Sequence, residues 1–158
     1  MAEEPRTPVK DRALRLLAVR ARSREELHRR LVRAGYPEAD VEAALDDLGD
    51  VGLVDDERFA REVASREIGR RLAGDRGAVG ALRRAGIDRE TAERAVGEAG
   101  GGDEESRAER LARARAGRFT DLDRERAYRR LAGYLQRRGY HPGVVHAVCR
   151  RVLGEDEP

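Results

Sequence analysis

Leucine, valine and alanine recur along the chain at the spacing of one face of a helix, in short runs broken by glycine or by a capping residue. A helix is predicted to start near Lys10, with Leu14, Leu17, Ala18 and Ala21 on its inner stripe. Ser23 and Glu26 have the S-x-x-E form of a capping box, which opens a second helix with Leu27, Leu31 and Ala34 inward. Gly35 ends it, and Tyr36-Pro37 opens a third helix with Val41, Leu45 and Leu48 inward, ended by Gly49 and Gly52. Asp55 or Asp56 caps the next helix, in which Phe59, Val63 and Ile68 face in. After Gly74–Gly77 comes a helix with Ala78, Leu82 and Ala85, stopped by Gly86. Asp88 then caps one with Ala92 and Val96 inward. The last third repeats the rhythm: Leu111, Ala112 and Ala114, a loop at Gly117, then Tyr128, Leu131 and Leu135, a stop at Gly139, and Val145, Cys149 and Val152.

The stops are regularly spaced. Gly35, Gly86 and Gly139 each follow a leucine by four residues (Leu31, Leu82, Leu135) and precede Tyr36, Ile87 or Tyr140. Val41, Ala92 and Val145 follow at six, and Leu45, Val96 and Cys149 at ten. This is an internal repeat of about fifty residues. The glycine admits the positive φ of a helix C-cap, and the residue after it plugs the joint. The expected fold is all-α: three tandem three-helix, helix-turn-helix-like repeats in an elongated, curved array. The expected division is a disordered arm at 1–8, repeats at 9–54, 55–99 and 106–153, a Gly-rich linker at 100–105 and a tail at 154–158.

Composition fits narrow helical stripes better than one large core, since charged residues make up 41% and aromatics only 4%. Periodicity argues against a disordered chain. The near-neutral total hides alternation: residues 37–57 hold nine acids and no base, whereas residues 106–153 hold thirteen arginines and four acids. Lys10 is the only lysine. This bias reads as genomic base composition, or else as a guanidinium preference for phosphate and carboxylate. A lone Cys149 excludes an internal disulfide, and no apolar run reaches membrane-spanning length. The expectation is a soluble, cytoplasmic monomer.

The joint L-x-x-x-G-[YI]-x-x-x-x-[VA], the block Gly52-Leu53-Val54-Asp55-Asp56-Glu57-Arg58-Phe59-Ala60 and the segment from Tyr134 to Tyr140 resemble the RecX regulatory family over nearly all of residues 11–153. The resemblance implies tandem three-helix repeats without enzymatic activity. It also implies binding to the RecA recombinase filament and restraint of its recombinase, ATPase and coprotease activities. The chain departs from the family pattern in its Gly-rich stretch 74–80.

Few residues offer other chemistry. His28, His141 and His146 with one cysteine make no zinc-type cluster, and His141 suits a helix cap. Gly74-x-x-Gly77-x-x-Gly80 lacks the lysine of a phosphate loop and reads as a flexible inter-helix joint. No cofactor is expected. The acids around Asp46, Asp47, Asp50, Asp55, Asp56 and Glu57 serve as caps and solvated groups, or as a docking patch. The candidate surface is basic. Arg126, Arg130 and Arg137 lie outside in repeat three, flanked by Arg129 and Arg138, with Arg150 and Arg151 added; Arg29, Arg30 and Arg33 correspond in repeat one. Such rows fit an acidic recombinase surface or DNA phosphate. A helical module that binds DNA without RecA is the alternative, and a scaffold for another protein comes third.

Overall fold

The computed structural model describes residues 7–100 and 103–154; residues 1–6 of the expected arm at 1–8, Gly101-Gly102 of the expected linker and residues 155–158 of the expected tail at 154–158 lie outside them. The described residues form nine α-helices and no strand: α1 (Val9–Val19), α2 (Arg24–Arg33), α3 (Glu38–Asp50), α4 (Asp56–Ser65), α5 (Asp75–Arg84), α6 (Arg89–Gly100), α7 (Glu104–Ala116), α8 (Arg124–Arg137) and α9 (Pro142–Val152). A π-helical turn, Arg66–Arg70, extends α4, and a 3₁₀ turn, Gly117–Phe119, extends α7.

Helices pack in threes, and each triplet has its own core. Leu27, Leu31, Val41, Leu45 and Leu48 fill the first. Phe59, Val63, Ile68, Leu82, Ile87 and Val96 fill the second. Leu131, Leu135, Tyr140, Val145, Val148 and Cys149 fill the third.

Each joint is a Schellman cap. Tyr36, Ile87 and Tyr140 donate their N–H to the carbonyls of Leu31, Leu82 and Leu135 at 3.2, 3.1 and 3.2 Å. Gly35, Gly86 and Gly139 have φ of 90°, 87° and 83°, and donate to Val32, Arg83 and Gln136. The recurring leucine is thus both a core residue and the carbonyl acceptor that closes the helix. Ile87 and Tyr140 are buried plugs, and Tyr36 is half-buried.

Other details differ from the sequence reading. In α1 the inward residues are Ala13, Leu16 and Leu17, while Leu14 and Ala18 are exposed; Ala21, also exposed, lies beyond the end of the helix. Packing against α3 selects a stripe one residue away from the one periodicity suggests. Ala34 is the exposed C-cap of α2, and Ala114 is exposed on α7. The expected Gly-rich linker at 100–105 is shorter than the sequence suggests: Gly100 still belongs to α6, whose end Ala95, Val96 and Ala99 anchor, and α7 already starts at Glu104. Asp103 then caps α7 by accepting from Ser106 at 3.2 Å.

The largest difference is at Gly74–Gly80. Instead of a flexible joint, Gly74 is the N-cap of α5, and Gly77 and Gly80 lie inside that helix. The cap of α8 rests directly on this glycine surface. Gly74 N–H donates to Arg138 at 2.9 Å and Gly77 N–H donates to Gly139 at 3.2 Å. A Cβ on Gly77 would stand 2.5 Å from the Arg138 carbonyl oxygen. The glycines are small because two backbones meet there.

Repeats one and two meet in the same way. A Cβ on Gly86 would fall on the Glu25 side chain at the start of α2, and the Ser23 hydroxyl donates to the Ala85 carbonyl. In both junctions an acid at the head of the following repeat caps the preceding second helix. Asp56 accepts from Arg24 N–H at 2.8 Å, and Glu104 accepts from Asp75 N–H at 3.0 Å and from His141 N–H at 3.3 Å. Arg107 is buried in the second junction, where it pairs with Asp75 and donates to the Ala73 and Gly100 carbonyls. Leu72 takes a positive φ of 51°, which turns its carbonyl to accept from the Tyr140 hydroxyl.

Candidate partner-binding groove

The junction of repeats two and three aligns arginines from both. One end is a concavity on repeat three between α7 and α8, lined by Arg115, Phe119, Arg129, Arg130, Tyr134 and Arg137. The other crosses to repeat two, where Arg71, Arg76 and Arg84 face Arg137 and Arg138. Arg137 lines both, so the two concavities adjoin at its side chain and are treated together as one groove.

Local sequence explains how these guanidiniums are held. The cap binds Arg138 to the glycine face of α5. Gly133 and Gly80 leave room for the side chains one turn later, and a Cβ there would approach Arg137 and Arg84 Nη1 at 3.2 and 3.3 Å. Arg115 lies 4.4 Å above the Tyr134 ring, a cation–π contact that fixes it while keeping its charge. The Nε atoms of Arg115 and Arg138 are buried without a hydrogen-bond partner.

Acids contribute little here. Arg130 and Arg137 have no ion pair among the described residues, and Arg129 has only a long, exposed contact of 3.6 Å with Glu125. Arg71 is paired with Glu67 at 3.0 Å. Such a surface favours a polyanionic ligand, because each guanidinium presents a planar fork to phosphate or carboxylate.

The structure thus separates the candidate arginines. Arg129, Arg130, Arg137 and Arg138 come together in the groove. Arg126 is outside it, turned to Asp123 at 3.3 Å. Arg150 is exposed on α9, away from the lining. Arg151 is held by Glu105 at 2.7 Å and Glu109 at 2.8 Å, which raises its pKa and makes it a strut between α9 and α7. Arg29 pairs with Glu25 at 2.9 Å, while Arg30 and Arg33 are exposed on α2.

The sequence reading missed Arg71, Arg76, Arg84 and Arg115. One signal was available: Arg33, Arg84 and Arg137 each stand two residues before a cap glycine. Arg115 carries no such signal, since only the fold brings α7 beside Tyr134.

The acids from Glu42 to Glu57 are largely occupied. Arg24 meets Glu42 and Asp46 at 2.8 and 2.7 Å, Lys10 meets Asp47 at 3.4 Å, and Arg94 meets Glu57 at 2.7 Å. Asp55 caps α4, accepting from Arg58 N–H at 3.1 Å. Pairing and capping therefore account for most of that cluster. His141 caps α9, accepting from Gly143 N–H at 3.2 Å, and His146 meets the Tyr128 hydroxyl at 2.9 Å. Among the described residues no group of three or more His, Cys, Asp and Glu is placed to hold a metal, and no helix is long and apolar enough to cross a membrane.

Fold and groove together define a class: a tandem three-helix-repeat protein with a basic surface built across a repeat junction. Sequence models of the first and third three-helix domains of RecX match residues 10–48 and 103–149. The chain is 41% identical over 155 residues to the regulatory protein RecX of Amycolatopsis mediterranei, covering 97% of this chain and 87% of that one. It is 40% identical over 141 residues to the regulatory protein RecX of Thermobifida fusca, covering 89% and 76%. The crystal structure of RecX from Lactobacillus salivarius superposes with a TM-score of 0.79 at 19% identity, over 91% of this chain and 94% of that one. The chain belongs to the RecX family of regulatory proteins.

Proposed function

We propose that the protein binds the RecA recombinase filament on DNA and restrains its recombinase, ATPase and coprotease activities, acting in the cytoplasm as a binding protein without catalysis of its own. The observation that carries this reading is the arginine groove across repeats two and three on a RecX-family fold. A nucleoprotein filament offers a long polyanionic surface, and an elongated array with a basic seam is suited to lie along it. Occupying that surface restrains the filament by blocking DNA strands and partner proteins.

The test adds the protein to pre-formed RecA filaments and follows ATP hydrolysis. Dose-dependent inhibition at micromolar protein is expected. Absence of inhibition, together with tight binding to naked duplex, would overturn the reading in favour of a DNA-binding module that acts without RecA. The aromatic faces of Tyr134 and Phe119 beside the arginines give that second reading its support.

A further inference from the structure

Between the π-helical turn and α5, three consecutive residues of repeat two are held by repeat three. The Leu72 carbonyl accepts from the Tyr140 hydroxyl, and the Ala73 carbonyl accepts from Arg107 Nε at 3.4 Å. Gly74 N–H donates to the Arg138 carbonyl at 2.9 Å. Both side chains are deep in the junction, Tyr140 at 2% exposure and Arg107 at 6%. The segment belongs to the basic groove. Arg71 precedes it, Ala73 lies in the wall, and Arg76 follows in the first turn of α5.

Leu72 is the residue that needs holding. Among the described residues every other positive φ belongs to a glycine, whereas Leu72 carries a side chain at 51°. It closes the π-helical turn as glycine closes the joints: Arg71 N–H donates to Arg66 at 3.1 Å and Ala73 N–H to Glu67 at 2.9 Å. A side chain in the left-handed region is strained, and such strain persists only where the surroundings impose it. Leu72 fills none of the three cores, so core packing does not impose it. The Tyr140 hydroxyl acts on the strained residue's own carbonyl, and burial pushes its pKa up to about 12, so it stays a donor. The other plugs do nothing comparable. Ile87 has no hydroxyl, and Tyr36 donates to the Thr7 carbonyl at 2.7 Å, within repeat one.

We infer that Tyr140 is a positioning residue of the arginine groove: through the Leu72 carbonyl it keeps Arg71 and Arg76 turned toward Arg137 and Arg138. The inference rests on the reading of the groove as a polyanion site. Without the hydroxyl, Leu72 relaxes toward negative φ in part of the population, and the chain between Arg71 and Arg76 changes direction. Affinity for a polyanion then falls with the fraction of molecules that keep the two halves aligned. Repeat three therefore serves the groove twice, with its own arginines and by shaping the half that repeat two supplies.

The experiment titrates inorganic tripolyphosphate into the intact protein and follows the Nε–Hε resonances of Arg76 and Arg137 by NMR. The parent is compared with Tyr140→Phe, with Tyr140→Phe combined with Leu72→Gly, and with Tyr36→Phe, which loses a hydroxyl away from the groove. Phenylalanine keeps the buried ring, so the third joint stays plugged, which circular dichroism checks. The expected result is saturable binding by the parent and by Tyr36→Phe, weakened at least about fivefold in Tyr140→Phe. The double variant should recover to within about twofold of the parent, because glycine takes the positive φ unaided. A hydroxyl that merely stabilised the junction would give no such recovery, since Leu72→Gly restores no hydrogen bond. Undiminished affinity in Tyr140→Phe, or no recovery in the double variant, would overturn the inference and leave the groove reading in place. No Arg76 or Arg137 shift in the parent would overturn the groove reading and the inference with it.

Discussion

Replacing Gly77 by alanine sets two effects of known size against each other. Gly77 is the third residue of α5, and in a solvated helix alanine there would stabilise by about 1 kcal/mol. Here the new methyl would stand 2.5 Å from the Arg138 carbonyl oxygen and 3.2 Å from Gly139 Cα. Both neighbours are backbone, so relief requires the cap of α8 to move off α5. That motion breaks the bonds from Gly74 to Arg138 (2.9 Å) and from Gly77 to Gly139 (3.2 Å). Two such bonds contribute about 1 kcal/mol each, and forcing a methyl into a filled interface costs about 1–3 kcal/mol. Against the helical gain, the net is a loss of about 2–4 kcal/mol, or roughly 6–12 °C in the melting temperature of a chain this size. Gly97→Ala is the matched control, because a Cβ there meets nothing within 4 Å and helix propensity acts alone. Urea denaturation of both variants should move the midpoint in opposite directions, and amide exchange of Gly74 should quicken in Gly77→Ala. A Gly77→Ala protein as stable as the parent would refute the claim that this junction is a backbone-to-backbone lock.

Three further outcomes follow from named contacts. Glu104→Ala removes the acceptor shared by the Asp75 and His141 amides and should cost about 1–2 kcal/mol, as loss of a helix cap does; an unchanged urea midpoint would contradict it. Asp88, Asp103 and Glu109 are held below the usual carboxylate range, Asp88 by Thr91, Asp103 by Ser106, and Glu109 by Arg113 and Arg151. Depressed folded pKa values give stability that is present above the unfolded values near 4 and lost as pH falls below them. The urea midpoint should therefore hold from about pH 8 to 5 and drop toward pH 3, whereas a rise below pH 5 would contradict the sign. Burial pushes the Cys149 thiol up to about 11, so iodoacetamide should label it slowly at pH 8 and much faster in urea; labelling of the folded protein at the rate of a free thiol would show that the third core is open.

The joints were the most legible part of the chain, because their chemistry is local. A left-handed glycine, a leucine four residues earlier and a plug residue are all set within one turn, and all three copies close as Schellman caps. Junctions between repeats were legible only in outline. Asp56 and Glu104 look like ordinary first-turn acids, and nothing in the sequence says that each caps a helix of the preceding repeat. The glycines at 74–80 read as looseness because sequence gives no sign of a backbone arriving from more than sixty residues away. Among the arginines, charge density pointed to the last third of the chain, but pairing there, which decides which guanidiniums remain available, could not be read from the sequence. Arg151 is taken by Glu105 and Glu109, while Arg84 joins Arg137 across the junction.

Charge reversal in the groove, read against an equal change elsewhere, tests the central claim. Arg129, Arg130 and Arg137 are exposed, so converting all three to glutamate should leave the fold intact. The same change at Arg29, Arg30 and Arg33 alters net charge equally on repeat one. The measured quantity is the protein concentration that halves ATP hydrolysis by pre-formed RecA filaments. The account predicts that the groove variant needs at least about tenfold more protein than the parent, a loss of about 1.4 kcal/mol in binding, while the repeat-one variant shifts far less. Equal inhibition by the groove variant and the parent would contradict it.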